Sequence, residues 1–174
     1  MHELILNEAH YERVLDRVVP TAKRFLWIAT ADIKDVHVEG ARGRYVPFIS
    51  VLADLVKDGV EVRLIHAKEP GPAFREDFDR FPILIESDRF ERILCPRMHM
   101  KVFIVDGKIA YIGSANLTGA GIGAKSPRKR NFEAGILTDE LPMIEQLMEE
   151  LDRLYLGQHC TDCGRREYCP DPIV

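Results

Sequence analysis

Between Arg97 and Asn116 the chain reads RMHMKVFIVDGKIAYIGSAN, and no other stretch limits its fold and chemistry so tightly. Val102 to Val105 and Ile109 to Ile112 are short apolar runs, rich in β-branched and aromatic residues, as in buried strands. Asp106-Gly107 between them is a two-residue hairpin signal, because both residue types tolerate a positive φ. Alternate residues of a strand share a face, so His99 and Lys101 project together. If the chain stays extended past Gly113, Ser114 and Asn116 share a face too. An imidazole, an ammonium, a hydroxyl and a carboxamide on neighbouring strands are the parts needed to grip and attack an anion.

The rest of the chain supplies a frame for such a hairpin. Asn7 or Glu8 to Val18 reads as an amphipathic helix, with Tyr11, Val14, Leu15 and Val18 on one face and Pro20 after its end. Arg24 to Thr30 reads as a buried strand. Asp32 to Arg44 reads as a polar loop, Val46 to Lys57 as a helix, Val60 to His66 as a strand and Ala73 to Asp79 as a short helix. Phe81 to Ile85 and Phe90 to Cys95 are β-like. Asn131 to Leu137 reads as a strand, and Thr138-Asp139 can cap a long helix running to Leu156 with Pro142 in its first turn. This order predicts an α/β fold, a mixed sheet flanked by helices on both faces, over residues 1–157.

At 174 residues, with 46% hydrophobic and 30% charged residues, the composition is that of an ordinary globular domain. A net charge of −4 means that any nucleic-acid affinity must come from a local patch. Lys125, Arg128, Lys129 and Arg130 form such a patch in the loop ahead of the Asn131 strand. A charge run of this kind is either a solvated face or a track for a phosphate backbone. No apolar run is long enough to span a membrane, and the first residues lack the pattern of a secretory signal. The expected compartment is the cytoplasm, where cysteines serve as thiols or metal ligands.

The segment 158–174 is different in kind: a cysteine-rich tail packed on the same domain. Cys160-x2-Cys163-x5-Cys169-Pro170 is a metal-binding spacing. Cys95 is the favoured fourth ligand and His159 the alternative. A structural zinc ion is the first expectation and an iron–sulfur cluster the second.

His99, Lys101, Asp106, Gly113, Ser114 and Asn116 resemble the HKD motif of the phospholipase D superfamily, H-x-K-x4-D-x6-G-S-x-N, with every gap of the same length. The resemblance implies a layered α/β/α fold and phosphodiester cleavage without a catalytic metal. One histidine would attack phosphorus and become phosphohistidine; a second would protonate the leaving oxygen. Lysines and asparagines would hold the phosphate oxygens. It also implies an acidic residue hydrogen-bonded to the catalytic histidine, for which Glu133 is the candidate. Asp106 and Gly113 read as structural, since Asp-Gly is explained by the turn. Such sites use two motif copies, yet His2, His10, His37, His66 and His159 all lack a lysine two residues on. A single-motif chain therefore requires a twofold homodimer. The reading is an endonuclease-like phosphodiesterase acting on DNA or RNA, without membrane insertion. The alternatives are a phospholipid phosphodiesterase and a catalytically silent nucleic-acid-binding module.

Overall fold

The computed structural model describes residues 1–40 and 43–173. Its centre is β2 (Phe25–Thr30), where every residue after Phe25 is buried. β2 pairs in parallel with β5 (Glu61–His66) and antiparallel with β7 (Val102–Val105). β6 (Phe90–Leu94) extends the parallel side. On the other side β8 (Ile109–Gly113), β9 (Ala134–Thr138) and β1 (His2–Leu6) follow, all antiparallel. The result is one seven-stranded sheet in the order β1-β9-β8-β7-β2-β5-β6. All four residues of β7 are buried, as expected of an apolar run with protein on both faces.

Alternation along the strands divides the core in two. On one face Leu26, Ile28, Phe103, Tyr111 and Leu137 pack with Val14 and Leu15 of a wide-turned, π-type helix (Tyr11–Val18) and with Leu52 and Val56 of α1 (Phe48–Lys57). On the other, Trp27, Ala29, Ile65, Ile104 and Ala110 pack under Ile144 and Leu151 of α4 (Leu141–Tyr155). Full burial of each Leu, Ile, Val or Phe side chain among them contributes about 1.5–3 kcal/mol. Arg63 pins α4 down: its guanidinium lies 4.6 Å from the Trp27 ring centre and 4.2 Å from that of Tyr155, and it donates to Asp152 at 2.7 Å. The mixed sheet with helices on both faces is the expected fold.

α4 leaves part of its face uncovered. Ile112, Ile136 and Leu4 lie side by side on β8, β9 and β1, and are exposed by 36%, 40% and 66%. Leu6 continues this stripe.

Several boundaries differ from expectation. Phe81–Ile85 is not a strand: Pro82 opens a helical turn, α3 (Ile83–Glu86), following α2 (Pro72–Asp79). Proline's fixed φ suits a helix start, and short apolar runs do not distinguish the two states. The expected loop Asp32–Arg44 carries β3 (His37–Glu39), which pairs with β4 (Tyr45–Pro47), so the helix expected from Val46 begins at Phe48; Ala41 and Arg42 lie outside the described residues. The hairpin has one residue more than Asp-Gly alone. Asp106 and Gly107 have φ of 54° and 67°, but Val105 pairs with Ile109, which leaves Lys108 in the connection. α4 is preceded at Glu140, not at Thr138-Asp139.

Candidate active site

The motif residues gather at one end of the sheet, where β2 and β8 finish and β7 and β9 begin. His99 and Lys101 precede β7 instead of lying within it. Lys101 is still held in register, because Gly113 N–H donates to its carbonyl at 3.1 Å. Its side chain is buried while His99 is exposed. The Lys101 Nζ donates to the His99 carbonyl at 2.6 Å and lies 3.2 Å from His99 Nδ1. Burial pushes the Lys101 pKa down, and the Glu133 carboxylate, acting in the opposite sense, does not offset it. A desolvated ammonium beside an exposed imidazole is poised to take up an anion.

Ser114 and Glu133 form a second pair. Ser114 Oγ donates to Glu133 Oε2 and accepts Ala134 N–H at 3.1 Å. Asn131 Nδ2 donates to Glu133 Oε1 at 3.0 Å. Two expectations are corrected here. Glu133 lies just before β9, not in the strand, and its carboxylate engages Ser114 and Asn131, not His99. It turns this way because the Ser114 main chain pairs with Ala134 (Ser114 N–H to Ala134 O, 2.9 Å), which brings the hydroxyl beside the carboxylate.

Asn116 is positioned by residues that sequence reasoning missed. Its Oδ1 accepts Asp32 N–H at 3.1 Å and the Thr30 hydroxyl at 3.4 Å. With the carboxamide oxygen occupied, its NH2 is left to donate. The separation from Thr30 in the chain is too great for any local pattern to reveal it.

Asp106 and Gly113 make main-chain and packing contacts. The Asp106 carboxylate accepts N–H groups of Lys23 at 3.0 Å, Arg24 at 2.8 Å and Phe25 at 3.0 Å. Burial alone would raise its pKa; the three amides together hold it below the ordinary value. A Cβ on Gly113 would meet Ala134 O at 2.7 Å, and one on Gly135 would meet Tyr111 Oη at 2.9 Å. Both glycines make room for the buried Tyr111 ring, a role that an isolated glycine in a strand hints at.

The basic loop turns at Pro127–Lys129 and exposes Lys125, Arg128 and Lys129. Arg130 is partly withdrawn: it donates to the Lys125 carbonyl and lies 3.7 Å from Glu8. The four cysteines line one 460 Å3 cavity that His99 also borders. His159 lines it too, but its Nε2 faces Glu150 at 3.2 Å.

Fold and site together define an α/β protein of the phospholipase D class. A family model described as "Cardiolipin synthase, PLD-like domain" matches residues 16–155. The chain belongs to the phospholipase D superfamily. Among solved structures it is similar to NucT from Helicobacter pylori, at 17% identity and a TM-score of 0.62 over 88% of this chain and 94% of that one. It is also similar to Nuc from Salmonella typhimurium, a phospholipase D family member, at 18% identity and 0.61 over 89% and 94%. TrmBL2, an archaeal chromatin protein, shares the fold at 10% identity and 0.59 over 88% of this chain and 51% of that one. No curated protein sequence gives a match. Among the described residues no helix is long and apolar enough to cross a membrane.

Proposed function

We propose that the chain is a phosphodiesterase that cleaves nucleic-acid backbones through phosphohistidine at His99, with an active site completed across a twofold homodimer. The observation that carries this reading is the His99–Lys101 pair, an exposed imidazole against a buried, unneutralised ammonium. A phosphate oxygen is the partner that such an ammonium lacks. With the ammonium donating to Nδ1, Nε2 carries the ring proton; once Nδ1 is protonated as well, the imidazolium gives its Nε2 proton to the leaving oxygen and returns to the neutral ring. When Lys101 turns to the phosphate, Nδ1 can take the proton and Nε2 can attack phosphorus. The two copies of His99 would take these two roles. The Asn116 NH2 and the Ser114 hydroxyl would hold the oxygens that gain charge.

The dimer is supported by the lone motif and by the uncovered stripe Leu4–Ile136–Ile112 beside it, since exposed apolar stripes of this kind mark interaction surfaces. Nucleic acid is favoured over lipid by exposed Lys125, Arg128 and Lys129 on the loop leading to Glu133.

The test is purified protein with labelled DNA, RNA and phospholipid in the absence of divalent metal, beside His99→Ala. Cleavage of DNA or RNA by wild type alone supports the reading. Cleavage of lipid alone, or of nothing while DNA or RNA binds, overturns it. Mixed wild-type and His99→Ala chains should show less turnover per wild-type chain than wild type alone; full activity per wild-type chain would sink the shared site.

A further inference from the structure

All four cysteines of the chain line one cavity of 460 Å3. At about 30 Å3 per water molecule, this is far more space than a single ion fills. Cys95 follows β6, its N–H bonded to His66 O at 2.8 Å. Cys160, Cys163 and Cys169 come from the turns of the tail. The tail is tied down on both sides of Cys95: Leu94 N–H donates to Asp171 Oδ2 at 2.8 Å, and Arg165 donates to Pro96 O at 2.8 Å. Side-chain contacts of the sulfurs are long, Arg97 Nη1 to Cys163 Sγ at 3.8 Å and Cys169 Sγ to Leu94 O at 3.9 Å, and the Arg165 main-chain N–H also donates to Cys163 Sγ. Apolar side chains, Ile65, Ile93, Met98, Met100, Leu154 and Ile173, make up much of the remaining wall.

The spacing of the sulfurs separates the two candidate occupants. Tetrahedral zinc with bonds of about 2.3 Å brings its thiolates to about 3.8 Å from one another. Among the described residues, the one group of three or more ligating side chains with donor atoms mutually within 4.8 Å is Asp35, His37 and Asp77. No three of the cysteine sulfurs come that close. A four-iron, four-sulfide cluster binds each thiolate to a different iron, so it wants its ligands farther apart around a larger volume. A Cys-Pro pair, here Cys169-Pro170, also ends the cysteine run of bacterial cluster proteins.

We propose that Cys95, Cys160, Cys163 and Cys169 hold a four-iron, four-sulfide cluster in this cavity. The cluster fastens the tail to the irregular segment Cys95–Met100, which carries His99. Its role is structural: it fixes where the segment enters β7 and takes no part in phosphodiester chemistry. The inference is independent of the nuclease reading, because metal content is measured without substrate.

The experiment is anaerobic purification from iron-replete cells, with iron, acid-labile sulfide and zinc counted per chain. The expected result is about four iron and four sulfide, with a broad visible absorption that bleaches on reduction with dithionite. Cys95→Ser and Cys163→Ser should lose the iron, and His159→Ala should keep it. Circular dichroism on each variant separates lost ligation from lost fold. If a Cys→Ser variant is unfolded, blocking of the thiols in wild type by an alkylating agent before and after iron removal replaces it. Protection of all four only in the iron-loaded form is expected. Zinc at one per chain, absence of both metals, or full iron retention in folded Cys95→Ser would each overturn the proposal.

Discussion

The Asp106 carboxylate accepts the Arg24 main-chain N–H at 2.8 Å, tying the β7–β8 turn to the start of β2. Lys23 and Phe25 donate to the same carboxylate. Asp106, five residues after Lys101, thus anchors the start of the central strand to the motif hairpin. Asp106→Ala removes acceptors from amides that β2 needs held, and hydrogen bonds to a charged group contribute about 1.5–3 kcal/mol each. Because the Lys23 and Arg24 amides are exposed and regain water, the expected loss is less than the sum, about 2–4 kcal/mol, read as a lower urea midpoint. Turnover of a small phosphodiester per folded chain should be unchanged. The folded pKa of Asp106 lies below the unfolded one. Its contribution is therefore complete above the unfolded value of about 3.9 and is lost as pH falls through the folded value. Asp106→Asn should flatten that acid limb; an unaltered limb would remove Asp106 from the account.

Lys101 is the opposite case: in the proposed mechanism its charge serves the chemistry at the expense of stability. Its pKa is lowered by burial. The cost of the buried ammonium is complete below the folded pKa and disappears as pH rises toward the unfolded value near 10.4. Lys101→Met should abolish turnover yet raise Tm at neutral pH, by about 2–4 °C for each kcal/mol recovered. The gain should vanish in strongly alkaline buffer. Inorganic phosphate should stabilise wild type and leave the methionine variant unmoved. A variant less stable than wild type at pH 7 would mean that the ammonium is satisfied in the free protein.

What could be read in advance follows from how far the determining contacts reach. β2, β5, β7, α1 and α4 are legible because their signals are periodic and local, and the His99–Lys101 pair because its spacing is two residues. The partners of Asn116 are not, since Thr30 and Asp32 approach it only when β2 and β8 end side by side. Glu133 is found as a residue but misassigned as a contact: main-chain pairing of Ser114 with Ala134 decides where its carboxylate goes. The short helix at Ile83–Glu86 is misread because four apolar or acidic residues carry no period.

Tyr111 passes over both Gly113 and Gly135, and the ring is fully buried. A methyl group at Gly135 would lie 2.9 Å from Tyr111 Oη, inside van der Waals contact, in a strand paired on both sides. Gly135→Ala should cost about 1–3 kcal/mol, the usual penalty of overpacking. Combined with Tyr111→Leu, which vacates the space, the loss should be less than additive. Denaturation midpoints of the two singles and the double measure this. Strict additivity would show that ring and glycine do not meet.

The exposed loop bearing Lys125, Arg128 and Lys129 separates a backbone-tracking enzyme from one that takes small or lipid phosphodiesters. Arg128→Ala and Lys129→Ala remove charge without touching His99, Lys101 or Asn116. If the loop tracks a nucleic-acid backbone, each lost phosphate contact lowers the slope of log K against log salt by about 0.7–0.9. Affinity should fall uniformly across sequences, because contacts to phosphate carry no base information. Turnover of a small synthetic phosphodiester should stay at the wild-type level. Arg130→Ala should lower the slope less, since Arg130 is already engaged by Glu8 and by the Lys125 carbonyl. Filter binding on one single-stranded and one double-stranded DNA over a salt series measures all three variants. An unchanged slope in both Arg128→Ala and Lys129→Ala would mean that the loop is only a solvated face and that the polyanion lies elsewhere on the protein.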